Sequence, residues 1–181
     1  MKKQINDQAV YLKEPPAESM LGDFFHEELK DLYRAELYVE RIVPAMKMAA
    51  SAGELVAAFE AHYEQTLLHL QKVEQIFDML GYLPEAKKCE AMEGLVKEAE
   101  RVINETENGT ATRDTGLIMA AQKIEHYEIA TYGCLQQVAV SSGYEEVADI
   151  LQQILIEKKE SDKILTFIAE THINYEPSIE E

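Results

Sequence analysis

Apolar residues recur at helical spacing through most of this chain. In the first such segment Leu21, Phe25, Leu29, Leu32 and Val39 fall on one face. Similar stripes follow in four later segments, and no stretch of convincing length alternates with period two. The pattern therefore predicts an all-α protein, with helices over about 18–52, 54–80, 86–107, 112–141 and 145–171.

Turn signals separate these segments and suggest how they connect. Gly53 and Gly143 mark tight joints, and short joints make consecutive helices antiparallel neighbours. The long stretch between the second and fourth segments can act as a crossover carrying its own short helix. This connectivity predicts a ferritin-like four-helix bundle over residues 18–173, between irregular tails at 1–17 and 174–181. Pro44, inside the first segment, predicts a kink or a local break.

Polar residues interrupt the apolar face of each long helix near its middle. Glu36 follows Leu29 and Leu32 at helical spacing, and His62 lies on the face of the second segment. Glu128 lies within the stripe of the fourth segment, with Glu125 one turn before it, and Glu157 lies at the edge of the fifth. An unpaired carboxylate in a dry core costs several kcal/mol. Since several would raise one another's pKa, a bound cation offers the simplest compensation.

Other interpretations of these residues stay open. A single Glu on an apolar stripe commonly reaches solvent or pairs with Lys or Arg, and a core His is more often hydrogen-bonded than metal-bound. His69, two turns beyond His62, could support the site, although a surface position is the simpler expectation. If these residues form a metal site, the mixture of carboxylates and imidazole favours Fe or Mn.

Charge and cysteine content narrow the function further. With 34 acidic residues against 17 Lys and Arg, the net charge of -17 predicts repulsion from nucleic acids and anionic membranes. Cys89 and Cys134 lie 45 positions apart and predict reduced thiols in a cytoplasmic protein. The amino terminus lacks the apolar run of a signal peptide, and no stretch approaches the ~20 apolar residues of a membrane span.

Four stretches resemble the YciE/YciF group of ferritin-like stress proteins. They are DLYRAE (31–36), AHYEQT (61–66), KKCEAMEGLVKEA (87–99) and AAQKIEHYEIATYG (120–133), and the likeness extends over roughly residues 20 to 172. The resemblance implies a four-helix ferritin-like fold, a homodimer and a di-metal centre holding two Fe or Mn ions. It also implies a role in the stress response.

The resemblance assigns site residues only in part. Ferritin-like di-iron proteins supply one Glu from each of two helices and a Glu-x-x-His pair from each of the other two. Glu36 matches the first helix, and Glu125 with Glu128 resembles the third-helix pair of rubrerythrin-like members. His62 and Glu157 would complete the ligands, but neither belongs to a Glu-x-x-His pair, so the sequence departs from the pattern at the second site.

Two functions follow as hypotheses. The first is a di-metal protein with ferroxidase, oxygen or peroxide chemistry, using Glu36, His62, Glu125, Glu128 and Glu157 as ligands. The second is a catalytically inert helical dimer that serves as a stress-related interaction module, and the missing Glu-x-x-His pairs motivate it.

Overall fold

The computed structural model describes residues 20–173, and every regular element in that range is helical. The predicted all-α class is thus confirmed. The tails predicted at 1–17 and 174–181, and the first two residues of the predicted helical region, 18–19, lie outside the described residues. No helix among the described residues combines the length and apolar character needed to cross a membrane. The helices are α1 (Met20–Ala49), α2 (Gly53–Met79), α3 (Glu90–Glu105), α4 (Ala111–Ser141) and α5 (Glu145–Ile168), and a π-helical turn follows at Ala169–Ile173.

Helix α1 continues through Pro44, so the local break does not occur, and the alternative of a kink there stays a prediction. Proline removes one intrahelical hydrogen bond. Val43 and Met46, on either side of it, are fully buried in the core. Their packing holds the helix in place on both sides of the missing bond.

The helices pair as their connections require. The segment 50–52 joins α1 to α2, which pack together, and Ser142 to Tyr144 join α4 to α5, which form the other close pair. Gly143 has a φ of +75°, a left-handed conformation that glycine adopts without strain. α1 also packs against α4 and α2 against α5, while α3 packs against α1 and α4 within the long connection.

The apolar core consists of two clusters rather than one. Each long helix contributes to both, so both clusters hold the same helices together. Between them, at mid-length, lies a layer of polar side chains. The first cluster includes Val39, Phe59, Leu117 and Leu165, and the second includes Leu32, Val73, Leu135 and Ile154.

Candidate functional site

Five ionisable side chains from four helices meet between the two apolar clusters. We call Glu36 of α1, His62 of α2, Glu125 and Glu128 of α4, and Lys158 of α5 the core cluster. None is more than 4% exposed. Because charged groups are almost never buried this completely without partners, their contacts decide what the cluster can do.

Helical periodicity places these residues in the core. Glu36 lies one turn after Leu32 and one turn before Val39, both fully buried. Lys158 occupies the same kind of position in α5, one turn after Ile154 and two turns before Leu165. Residues three, four and seven apart share a helix face, so the helices that bury these apolar neighbours also bury the polar side chains.

Lys158 lies between two carboxylates. Its Nζ is 2.8 Å from Oε2 of Glu128 and 3.3 Å from Oε1 of Glu36. Tyr132, itself fully buried, donates a hydrogen bond of 2.6 Å to the same Glu36 oxygen. Lys158 and Tyr132 thus give partners to Glu36 Oε1 and Glu128 Oε2, whereas Glu36 Oε2 has no hydrogen-bond partner among the described residues.

The other side of the cluster has fewer partners. His62 Nε2 lies 3.4 Å from Glu125 Oε1, which also accepts a hydrogen bond from the hydroxyl of Ser161. Within the described part of the chain, His62 Nε2, Glu125 Oε2 and Glu128 Oε1 have no hydrogen-bond partner. One ligand atom each from His62, Glu125 and Glu128 lies within 4.8 Å of the others. Buried polar atoms left without partners are uncommon, and an unplaced ion is one explanation for them.

His69 connects the cluster to the surface. Its Nε2 is 2.7 Å from Oε2 of Glu157. Lys72 Nζ donates to the two oxygens of the same carboxylate, at 3.2 Å to Oε1 and 3.3 Å to Oε2. Since a carboxylate only accepts, Nε2 carries the proton and leaves Nδ1, 3.8 Å from Glu36 Oε1, with a free lone pair. His69 is fully buried, so the surface position expected for it was wrong: it shares the inward stripe of His62 and Val73.

The predicted ligands therefore fall into two groups. The structure brings Glu36, His62, Glu125 and Glu128 into one cluster. Glu157 lies at its edge, with 28% of its side chain exposed and pairing with His69 and a lysine rather than with the cluster. The role of Glu157 as a metal ligand stays a prediction, but His69 and Lys72 already provide hydrogen-bond partners for its carboxylate.

Burial and ion pairing shift the pKa values of the cluster in different directions. Burial raises the pKa of Glu125, and raises that of Glu128 well above its ordinary value, against the attraction of Lys158. Burial also acts on Glu36, but Lys158 and the tyrosine hydrogen bond hold its pKa below the ordinary value. Burial lowers the pKa of His62 to about 3, so its imidazole is neutral at physiological pH. Burial opposes the charge on Lys158, yet the surrounding carboxylates raise its pKa and keep it an ammonium.

Lys158 is the residue of the core cluster that the sequence analysis did not identify. Its position after Leu151 and Ile154 on the apolar stripe was a usable signal. Lysines on such stripes generally extend to solvent, and only the opposing Glu36 and Glu128 explain why this one stays inside.

The fold and the core cluster define an all-helical protein that carries ionisable groups from four helices at its centre. The chain belongs to the family described as "Domain of unknown function (DUF892)", whose family model matches residues 20–177.

Individual relatives agree with this assignment. The chain is 40% identical over 155 residues to protein YciF from Escherichia coli (strain K12), covering 85% of this chain and 93% of YciF. The crystal structure of the E. coli stress protein YciF matches with a TM-score of 0.81 at 38% identity, covering 87% of this chain and 99% of that one. YcfI from Rhodopseudomonas palustris matches with a TM-score of 0.79 at 30% identity, covering 82% and 94%. The predicted resemblance to the YciE/YciF group is confirmed.

Proposed function

We propose that this protein binds one divalent transition-metal ion in its core through His62, Glu125 and Glu128, and that Lys158 takes the place of a second ion. The observation that carries the proposal is the convergence of three buried ligand atoms within 4.8 Å of one another. Atoms about 2.1 Å from one ion lie at most ~4.2 Å apart. A small inward movement of these side chains is therefore enough to coordinate it.

The charge balance supports one ion. Glu36, Glu125 and Glu128 carry three negative charges when ionised, and Lys158 carries one positive charge, which leaves a net charge of −2 in a buried site. One divalent ion makes the cluster neutral, whereas two would leave it positive by the same amount. A net charge of either sign is unfavourable in a buried site of low dielectric constant.

Lys158 argues against the pair of ions that the resemblance implies. Its Nζ contacts both Glu36 and Glu128, the carboxylates that a second ion would use. A second ion would have to displace this ammonium, and the nearby carboxylates hold the proton on it by raising its pKa. The residues therefore fit a one-ion centre and not a two-ion centre.

The ligand set favours Fe(II) or Mn(II). One imidazole with two carboxylates combines nitrogen and oxygen donors, which suit these ions. An ion with an open coordination position supplies Lewis-acid and one-electron chemistry when bound. Around it, Ser161 orients Glu125, while Lys158 orients Glu128 and provides a fixed positive charge 2.8 Å from that carboxylate.

We also propose that the chain forms the ferritin-like four-helix bundle. The pairings of α1 with α2, α4 with α5, α1 with α4 and α2 with α5 support this arrangement. The long connection with α3 corresponds to the crossover between the two helical hairpins.

Exposed apolar side chains favour a second candidate, a metal-independent helical module that associates as a homodimer. Leu21 and Phe24 of α1 and Ile156 and Phe167 of α5 are between 45% and 60% exposed. Contacts of Lys158 with two carboxylates would then stabilise the core without any ion. Light scattering that gives the mass of a monomer would count against the dimer.

A thermal melt with and without Mn(II) discriminates between the two candidates. A ligand that binds only the folded state adds ~2.7 kcal/mol of stability at a hundredfold excess over its dissociation constant. The metal proposal predicts a clear rise in melting temperature for the native chain and none for His62→Ala. An unchanged melting temperature of the native chain would favour the metal-independent module.

A further inference from the structure

A pocket between α2 and α5 ends at the side of the core cluster that has unsatisfied ligand atoms. His62 lines its buried part, and the Nε2 atom of this imidazole has no hydrogen-bond partner among the described residues. Ser161, whose hydroxyl donates a hydrogen bond to Glu125, lines the pocket as well. Ala61 and Glu160, also in the lining, are exposed to solvent. The pocket therefore connects the surface with His62 and with the hydroxyl that contacts Glu125.

The polar lining of the pocket offers donor atoms to a cation at every depth. The exposed carboxylate of Glu160 comes first, the half-buried amide of Gln65 and hydroxyl of Ser161 follow, and the buried imidazole of His62 comes last. An ion that leaves water is stabilised only where such groups replace its lost hydration. Among the described residues, no lysine or arginine lines the pocket. An incoming cation thus meets oxygen and nitrogen donors and no like charge in the lining.

The charge of the core cluster favours a cation over an anion in this pocket. With its three carboxylates ionised and Lys158 charged, the cluster has a net charge of −2. Glu160 adds a negative charge where the pocket meets the surface. Clefts lined by charge of one sign raise the local concentration of oppositely charged ions and accelerate their entry. An anion would be repelled at both ends of the same path.

The edge of the cluster near Glu157 is a less favourable entrance. Glu157 lies 2.7 Å from His69 Nε2, and Lys72 Nζ contacts the same carboxylate at 3.2 Å. An ion that arrives there meets the positive charge of Lys72 and a carboxylate whose two oxygens already have partners. The pocket between α2 and α5, by contrast, ends at His62, which has none for its Nε2 among the described residues.

We infer that divalent metal ions reach the core cluster through the pocket between α2 and α5, and that Glu160 captures the incoming ion at the mouth of the pocket. The inference rests on the proposed metal centre, because His62 is both the last residue of this path and a ligand of that centre. Lys163, 3.2 Å from Glu160, competes with the ion for the carboxylate. Exposed ion pairs of this kind are weak, so a divalent ion displaces the lysine readily.

The rate of Mn(II) uptake tests the route. Uptake by the metal-free chain is stopped at set times with a chelator, and elemental mass spectrometry measures the Mn retained. Ala58→Leu, which fills the wall of the pocket, should slow uptake at least about tenfold, because entry then waits for a conformational change. Ala61→Leu, at the exposed end, is the second variant if Ala58→Leu folds poorly.

The matched control for these variants is Ala57→Leu, at an exposed position of the same helix outside the lining. It should take up Mn(II) at the native rate. All three variants should retain the native amount of Mn per chain once uptake is complete, because the substitutions lie outside the ligand set. A difference in rate without a difference in final content is the signature of a changed route.

Substitutions at the mouth of the pocket test the role of Glu160. One pair of charges ~4 Å apart in water changes a rate or equilibrium constant by about fivefold. Glu160→Gln should therefore slow uptake by up to about that factor at low salt, and by less at high salt. Lys163→Gln removes the competing ammonium and should accelerate uptake. Glu64→Gln, an exposed acid of α2 outside the lining, is the charge-matched control and should leave the rate close to native.

The outcomes separate the route from the metal centre. A native chain that retains no Mn would refute the metal proposal and the route together. Native uptake rates in both Ala58→Leu and Ala61→Leu, with the native Mn content, would overturn the route and leave the metal centre in place. An unchanged rate in Glu160→Gln would overturn the capture role. Faster uptake in Lys72→Gln, combined with native rates in the pocket variants, would place the entrance at the edge near Glu157, contrary to the inference.

Discussion

Replacing Lys158 with methionine removes the buried positive charge while keeping most of the side-chain volume. In the native chain the ammonium lies 2.8 Å from Glu128 and 3.3 Å from Glu36, and it is 1% exposed. Methionine fills the space of the lysine stem but offers neither carboxylate a partner. The two acids must then be buried unpaired, take up protons or recruit a cation.

The expected loss of stability is large in the metal-free protein. Removing one partner of a buried ion pair costs roughly 3–5 kcal/mol because the remaining charge is uncompensated. The loss should shrink as the pH falls, since protonated carboxyl groups need no counter-charge. Burial already raises the pKa of Glu128 well above the ordinary value, so this relief should begin above the usual range for a carboxyl.

Metal should reverse the effect and change the stoichiometry. With Lys158 absent, Glu36, Glu128 and the free Nδ1 of His69 become available to a second ion. Urea denaturation with and without Mn(II), together with metal analysis, should show Lys158→Met rising from one ion per chain to two. Lys159→Met, at the adjacent exposed position, is the matched control and should change neither quantity. A Lys158→Met protein as stable as the native chain without metal, or one that still binds a single ion, would refute this reasoning.

Three other outcomes follow from the same geometry. Glu128→Ala should abolish stoichiometric metal binding, measured by metal analysis, while the chain still folds. The control Glu64→Ala, at an exposed position of α2, should bind metal like the native chain. Loss of metal in Glu64→Ala alone would mean that the inward face of α2 is wrongly assigned. Metal binding should release protons and weaken as the pH falls, because the raised pKa of Glu128 leaves a proton on its carboxyl group that the ion must displace. His62 contributes no proton, since its pKa of about 3 leaves the imidazole already neutral. Calorimetry in buffers of different ionisation enthalpy measures the release, and no release at pH 6 would contradict the prediction. A thiol reagent at pH 8 should modify exposed Cys134 rapidly and Cys89 only on unfolding, since burial shields Cys89 and raises its pKa; two fast thiols would contradict this.

Periodicity predicted the helices well because each stripe repeats over many turns. The structure begins and ends α4 within one residue of the predicted 112–141. The start of α3 was placed four residues early, at 86 instead of Glu90, because the loop before it carries no strong breaker after Pro84. Cys89 caps α3 with its sulfur, and cysteine is not a usual signal for a helix start.

The candidate site was only partly predictable for a different reason. Acids on an apolar stripe are conspicuous, so Glu36 and Glu128 could be found from spacing alone. His69 and Lys158 lie on equally apolar stripes, but a histidine or a lysine there often reaches water along its length. Their burial depends on partners in other helices, which no single stripe reveals. The same applies to Ser161, which matters only because Glu125 faces it across the α4–α5 contact.

The number of metal ions bound per chain tests the central claim most directly. The protein is purified without chelators, loaded with Mn(II) or with Fe(II) in the absence of oxygen, and freed of loosely bound metal. Elemental mass spectrometry then gives the number of ions bound per chain. The geometry of His62, Glu125 and Glu128, with Lys158 beside them, predicts one ion per chain. Two ions per chain would show that Lys158 does not exclude the second ion, and a value near zero would show that the core cluster is not a metal centre.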